Sequence, residues 1–525
     1  MRIRPLILFF CLGGSLLLSC EQIHRNSSHA DIPVSSIREG KRLAAVYCQG
    51  CHLLPTPDLA DARSWEKGIL PAMGPRLGIF RHNFEVYPSS IRDTHLTKGF
   101  YPSRPLVNEV EWQHILDYYT ATSPDSMPGQ SRPYPIADGL SLFKVLVPHW
   151  RLPMPATTLV KIDTSAATRG LLAYDIHAQQ LYRISPGIQL LDSLSCRGGL
   201  VDLLPWDSGW TACNIGVLNP NNGKFGKLQM LDRGAGGQLR LDTIPLMVGL
   251  QRPVQLAEAD LNQDGRPDLV VCEFGNLTGA LSWLENKGNG QYVRHVIRAV
   301  PGAIRVCIGD FNHDGLPDIM ALFAQGDEGV FLFTNKGGGR FEERSLLRFP
   351  PSYGSVYFEL DDMNKDGYPD IVYACGDNAD YSRVRKPYHG VYIFLNDGHY
   401  NFTQRYFFPI DGCYKAIARD FDGDGDLDIA AISFFPDFDR QPEEAFVYLE
   451  NQGNFDFKPY SLPAAREGKW LTMDAGDIDG DGRPDLVLGN FSYYAPVTKA
   501  GVDFAKGPPF IVLINNGPRA SGSGK

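Results

Sequence analysis

A nine-residue acidic element recurs five times in this chain, and no other feature restricts the fold as much. It first appears as Asp260-Leu-Asn262-Gln-Asp264-Gly265-Arg-Pro-Asp268. It returns with Asp310, Asn312, Asp314 and Asp318, and then with Asp362, Asn364, Asp366 and Asp370. The last two copies carry Asp420, Asp422, Asp424 and Asp428, and Asp477, Asp479, Asp481 and Asp485. The intervals are 50, 52, 58 and 57 residues, a period that belongs to propellers and solenoids. After each copy comes a short apolar run, and a second run leads into an Asn-x-Gly turn at Asn286, Asn335, Asn396, Asn451 or Asn515. With one strand before the acidic loop and one after the turn, each unit supplies four strands, or one propeller blade. Residues 219–223 repeat the turn without the acidic loop, which marks a degenerate blade near 201–248. Residues 157–200 are strand-rich enough for another. The expected count is seven blades, with six and eight left open.

The acidic loop suits a hard cation. Oxygens at positions 1, 3, 5 and 9, with a carbonyl at 7, approach the shell that calcium takes, and glycine at position 6 permits the sharp bend. Position 12 is apolar or aromatic (Val271, Ala321, Tyr373, Ala431, Leu488), so no bidentate glutamate closes the shell as in an EF-hand. A plain solvated Asp-Gly turn is the competing reading for any single copy. The pattern resembles the D-x-D-x-D-G loops of the FG-GAP/VCBS repeat family, which includes integrin α-chain propellers. That resemblance implies about five structural Ca2+ ions. It also locates the net charge of −10, because seventeen aspartates occupy the proposed liganding positions. An acidic balance of this kind excludes a nucleic-acid backbone as partner.

Upstream, Cys48-Gln49-Gly50-Cys51-His52 has the spacing of covalent haem c attachment. Two thiols three positions apart can each add to a vinyl group of one porphyrin, and the adjoining histidine is then the proximal iron ligand. A zinc or redox pair is the alternative for the pentapeptide alone. Ser35 or Ser36 is expected to cap a helix running into the motif. Asn108-x-x-Glu111 reads as a capping box opening a second helix that Pro124 stops. This arrangement resembles a class I cytochrome c domain, in which the two terminal helices cross and a glycine such as Gly40 meets an aromatic such as Tyr118 or Tyr119. For the sixth ligand Met73 is the first choice, with His82, His95, Met127 or an open position as alternatives.

A 525-residue chain is too long for one core. Residues 1–19 have the basic start and apolar centre of an export signal, closing on Leu17-Leu18-Ser19-Cys20. This end resembles the bacterial lipobox, which implies lipidation of Cys20. The expected order is signal 1–19, tether 20–33, cytochrome c domain 34–125, linker 126–155, propeller 156–517 and tail 518–525. The fold class is thus a small all-α domain followed by an all-β propeller with calcium loops. Among the remaining cysteines, Cys196 with Cys213 is the candidate disulfide.

The segments after the first apolar run lengthen in the last three units. They place Tyr381, Arg383, Arg385, Tyr388, His389, Phe434, Phe435, Phe438, Arg440, Phe491, Tyr493, Tyr494 and Lys499 on one rim. A glycan, a small molecule or a protein could bind there, or the aromatics could simply pack the loops. No catalytic motif stands out, so catalytic residues stay unassigned. Three functions remain: a membrane-tethered, periplasmic monohaem electron carrier whose propeller docks a redox partner protein; a haem-linked oxidoreductase acting on a sugar or other small substrate; and a lectin-like or adhesive binding protein. Placement is the periplasmic side of a bacterial membrane, the outer membrane first and the cell surface as an alternative.

Overall fold

The computed structural model describes residues 23–517, apart from 167, 207–208, 235–236, 380, 383, 494–496 and 500. Cys20, the signal segment, the tail 518–525, and the rim residues Arg383 and Tyr494 lie outside the described residues.

Seven antiparallel sheets make the body. Blade 1 begins with Thr157–Asp163 and blade 2 with Leu200–Trp206. Blades 3 to 7 begin with Pro253–Ala259, Ala303–Gly309, Ser355–Asp361, Cys413–Arg419 and Trp470–Gly476. These first strands neighbour one another around the ring, and the first strand of blade 7 meets that of blade 1. The second strands are buried along their whole length, as Asp268–Glu273 and Asp428–Ser433 illustrate. Both of their faces are covered by adjacent blades, which explains the continuous apolar runs in place of alternation. Seven is therefore the blade number, and the ring is a closed β-propeller.

Closure comes from an unexpected place. The segment 126–155 was expected to be a linker, but it contains β3 (Ala137–Asp138) and β4 (Phe143–Leu146). β3 lies parallel to the outer strand of blade 6, pairing Tyr460 with Ala137. β4 is the outer strand of blade 7, pairing Asn515 with Phe143 and Val512 with Leu146. Among the described residues no strand follows Asn515, and the open edge of blade 7 takes the strand that precedes blade 1.

The N-terminal head holds two long helices, α1 (Val34–Tyr47) and α2 (Glu109–Thr122), crossed against each other. The capping box at Asn108 and Glu111 is present, and the side chain of Asn108 accepts from the Val110 and Glu111 amides at 3.0 and 2.9 Å. The α1 cap differs from expectation. Pro33, held at φ −63, starts the helix, and Ser36 lies inside it, bonded to Nδ1 of His114 at 2.6 Å. At the crossing, a Cβ on Gly40 would run into the carbonyl of His114 and Cβ of Tyr118. Trp65, Trp112, Ile115 and Tyr119 fill the core between the helices.

The head is not wholly helical as expected: Arg81–His82 (β1) and Glu85–Val86 (β2) form a hairpin. Nor are residues 26–33 a free tether. Asn26 is buried, and its Nδ2 donates to the carbonyls of Thr120 at 2.6 Å and Ser123 at 2.8 Å.

Candidate functional sites in the head and the acidic loops

Cys48 caps the C-terminus of α1, its amide bonded to the carbonyl of Ala44 at 2.8 Å. Its thiol is part-buried and that of Cys51 is exposed, and both are free. Burial, helped by the neighbouring Cys51, pushes the Cys48 thiol up to about 11. The next residue, His52, places Nδ1 2.9 Å from the carbonyl of Leu53. A carbonyl can only accept, so Nδ1 carries the proton and Nε2 keeps its lone pair. Burial holds the imidazole below its ordinary pKa, which favours that neutral, ligating form. Two free thiols and a histidine with its second nitrogen fixed are a donor set that fits haem attachment.

The candidates for the sixth position separate. His82 is buried with Nε2 2.8 Å from Oε1 of Gln113. His95 lies edge-on to Phe225 of blade 2 at 5.4 Å. Met73 ends a helical turn, Leu70–Met73, and is half-buried, as is Met127 beyond α2.

The head rests on the loops joining second to third strands. Oη of Tyr388 (blade 5) donates to the carbonyl of Leu59 at 2.7 Å. Nδ2 of Asn222 (blade 2) donates to Asp93 at 2.7 Å, which holds that carboxyl below its usual range. A Cβ on Gly68 would strike the carbonyl of Tyr381. Blades 2 and 5 stand on opposite sides of the ring, so the head spans its mouth. The rim aromatics largely pack inward or against the head. Tyr388 stacks on Tyr353 at 4.7 Å, Phe438 packs tilted against Phe504 at 4.5 Å, and Lys469 sits 3.8 Å over Phe434. Arg385 pairs with Asp437 at 2.9 Å.

The five acidic loops share one hydrogen-bond pattern. The first aspartate accepts from the amide of the position-6 glycine, as Asp260 does from Gly265 at 2.8 Å and Asp310 from Gly315 at 2.9 Å. The position-5 aspartate accepts from the amide at position 7, as Asp264 does from Arg266 at 3.0 Å. The ninth residue is fully buried in every copy. It brackets the blade: Asp268 accepts from Leu261 at 3.2 Å and from Asn286, in the Asn-x-Gly turn, at 2.7 Å. Asp318, Asp370, Asp428 and Asp485 do the same toward Asn335, Asn396, Asn451 and Asn515. Position 9 thus joins loop to turn, a role the liganding reading did not contain. Burial raises these carboxyls, to about 6 for Asp370 and Asp485 and about 7 for Asp428.

Position 3 divides the copies. Asn262, Asn312 and Asn364 donate Nδ2 to the position-5 carboxylate, at 3.2, 3.0 and 2.8 Å. Where aspartate replaces asparagine that donor is lost. Asp420, Asp422 and Asp428, and Asp477, Asp479 and Asp485, then each bring carboxylate oxygens within 4.8 Å of one another. These two loops could hold a cation. Blade 1, which lacks the motif, has Arg233 bonded to Asp163 at 2.6 Å instead.

A model of the FG-GAP-like repeat matches residues 260–321 and 310–373, which span the acidic loops of blades 3 to 5. The chain carries FG-GAP-like repeats. Integrin alpha-5 of Xenopus laevis is 26% identical over 210 residues, covering 35% of this chain and 19% of the integrin's length. Among solved structures, the N-terminal domain of Nup159 is 12% identical and superposes with a TM-score of 0.40, covering 73% of this chain and 99% of that one. Sqt1 of Saccharomyces cerevisiae is 8% identical with a TM-score of 0.42, covering 70% and 98%.

The FG-GAP-like body has a second repeated design that the sequence did not announce. Each first strand sends a side chain to the backbone of the next blade's first strand. Thr158 donates to Leu200 at 2.7 Å, and Asp202 and Gln255 accept from Leu256 and Val306 at 2.9 Å each. Arg305 donates to Phe358 at 2.6 Å, Glu359 accepts from Ala418, and Lys415 donates to Met473 at 2.8 Å. Asp474 completes the circle, accepting from Ile162 at 2.8 Å. Polar residues at the second to fifth positions of each first strand are the only signal for it, visible once the strands are aligned. The disulfide expectation is corrected here as well: Cys196 and Cys213 are both buried free thiols.

Proposed function

We propose that this protein is a membrane-tethered, periplasmic electron carrier in which the FG-GAP-like propeller holds a haem-bearing head and docks its redox partner protein. The observation that carries this reading is the Cys48-x-x-Cys51-His52 set at the end of α1, with Nδ1 of His52 engaged by Leu53 and Nε2 left to ligate. Cys48 and Cys51 would hold one haem c covalently, and His52 and Met73 would supply its iron ligands. The group would supply a one-electron Fe(III)/Fe(II) couple. Leu53 fixes the imidazole plane, Trp65 and Tyr119 exclude water from the helix crossing, and Tyr388 and Asn222 hold the head over the ring. About five Ca2+ ions stiffen the acidic loops, and lipid on Cys20 provides the anchor.

The test is export with the c-type maturation machinery, followed by absorption and mass measurement of the purified chain. Covalent haem that is lost in Cys48→Ser and Cys51→Ser, and that accepts electrons in an anaerobic donor screen, is the expected outcome. A correctly exported chain without covalent haem would refute the reading. Haem reduction that depends on a particular sugar or other small molecule would favour an oxidoreductase.

The likeness to an integrin α chain favours a second reading, an adhesive or ligand-binding propeller. It predicts glycan or protein binding that persists unchanged in the Cys48→Ser, Cys51→Ser double variant.

A further inference from the structure

The head carries an apolar finger that the rest of the fold leaves uncovered. β1 and β2 pair His82 with Glu85, leaving a two-residue turn with Asn83 at φ 44 and Phe84 at φ 67. Turns of this kind favour glycine at the second position, because a Cβ is penalised where φ is positive. Here the second residue is an aromatic. Phe84 is 102% exposed, and Val86 beside it is 70% exposed. The same Asn-Phe pair recurs at Asn454 and Phe455, with φ 53 and 64. There the ring lies 4.9 Å beneath the guanidinium of Arg405 and packs on the core between blades 5 and 6. The turn geometry therefore does not by itself demand exposure. A strained backbone that presents a bare aromatic is a feature found at contact sites.

The finger shares a face with the point where the chain joins the head. Ser28, His29, Arg63, Glu66, Lys67 and Asp125 line one cleft there. Nζ of Lys67 reaches Glu85, next to Phe84, at 3.1 Å. Asn26 is pinned to the end of α2, so this segment cannot swing away from the head. Only Glu21 and Gln22 separate Cys20 from Ile23, which keeps their Cα atoms within about 11 Å.

We propose that this face lies on the lipid surface, with Phe84 inserted at the boundary of headgroups and acyl chains and Val86 beside it. The proposal rests on the reading of Cys20 as a lipid anchor and adds an orientation to it. A short anchor beside a rigid, pinned face brings that face onto the bilayer, and an apolar side chain in the interface strengthens an anchor that acyl chains alone make reversible. The head would then stand between the membrane and the propeller.

The test uses the full mature chain in phospholipid vesicles, wild type against Phe84→Trp, with the mass of the N-terminal peptide reporting the state of Cys20. The expected result is a blue-shifted emission from the added indole, quenched at least twofold by lipids brominated near the headgroup. The amides of residues 81–86 should also exchange about tenfold more slowly on vesicles than in their absence. A lipidated, vesicle-bound chain whose added indole shows neither shift nor quenching would overturn the membrane face and leave the anchor standing. An unlipidated Cys20 would overturn both.

Discussion

Replacing Phe143 with alanine tests whether the strand ahead of blade 1 holds the ring shut. Phe143 is 5% exposed, with its ring edge-on to Phe421 at 5.8 Å and to Tyr448 at 5.9 Å. It belongs to the core shared by blades 6 and 7, with Met473 and Leu513. Truncating a buried phenylalanine to alanine costs about 3–5 kcal/mol. Area gives a similar figure, since a buried aromatic removes roughly 150–200 Å2 from water at about 25 cal/mol per Å2. β4 meets blade 7 through four residue pairs and blade 6 through the Phe143 ring, so the loss falls on the seat of this strand between the two blades. At about 1.4 kcal/mol per decade, opening of the closing strand should become roughly 100- to 4000-fold more populated. Native-state hydrogen exchange at Phe510–Asn515 reads this opening directly, with Phe84→Ala as an exposed control. Blades 3 to 5 should keep their protection. If the amides at 510–515 accelerate less than threefold, β4 is not what closes the ring.

Further outcomes follow from the loops and the head contact. Asp422→Asn and Asp479→Asn convert the two tri-carboxylate loops to the form of blades 3 to 5, so each should weaken one calcium site in calorimetric titration; unchanged isotherms would remove position 3 from the ligand set. In the EDTA-treated chain, burial raises Asp370 and Asp485 to about 6 and Asp428 to about 7, so the folded state holds protons that the unfolded state has released. The stability they contribute is full below pH ~4 and is lost as pH rises through 6–7, so melting temperature should fall from pH 5 to pH 8, and less so with excess calcium. A rise over that window would contradict the burial argument. Tyr388→Phe removes the hydroxyl that donates to Leu59, at about 1 kcal/mol, and should speed limited proteolysis between head and propeller without changing propeller melting.

The blades were readable because each is local. An acidic loop, an apolar run and an Asn-x-Gly turn lie within one period, and short-range chemistry suffices to place four strands. What escaped were partners set by distance. Phe143–Leu146 is four residues in a proline-rich stretch, and nothing near it announces a strand whose partner lies in blade 7, at the far end of the ring. The position-9 aspartates were evident as acids, but their bonds to Leu261 and Asn286 require knowing which turn folds over which loop. The rim aromatics were legible as a cluster, whereas the surface they meet proved to include the head itself. At the candidate haem site the thiols and His52 were local and readable. The engagement of His82 with Gln113, which argues against it as a ligand, depends on a helix thirty residues away.

The borrowed outer strand of blade 7 sets a timetable for assembly. A blade made from its own 50-odd residues closes a loop at an entropic penalty of roughly 3.5 kcal/mol, whereas bringing Phe143 to Asn515 raises it to about 5 kcal/mol. Six blades can therefore stack while the seventh waits for residues 510–515 to be made. Until then the strand that follows the head has no partner, and the head has no fixed seat over the mouth of the ring. Any chain that stops short of residue 510 is left with two unmatched edges, one at each end of the ring, and is marked for capture by chaperones or proteases. The latch thus ties the two events together: a head held rigidly over the propeller reports that the strand at 510–515 is in place.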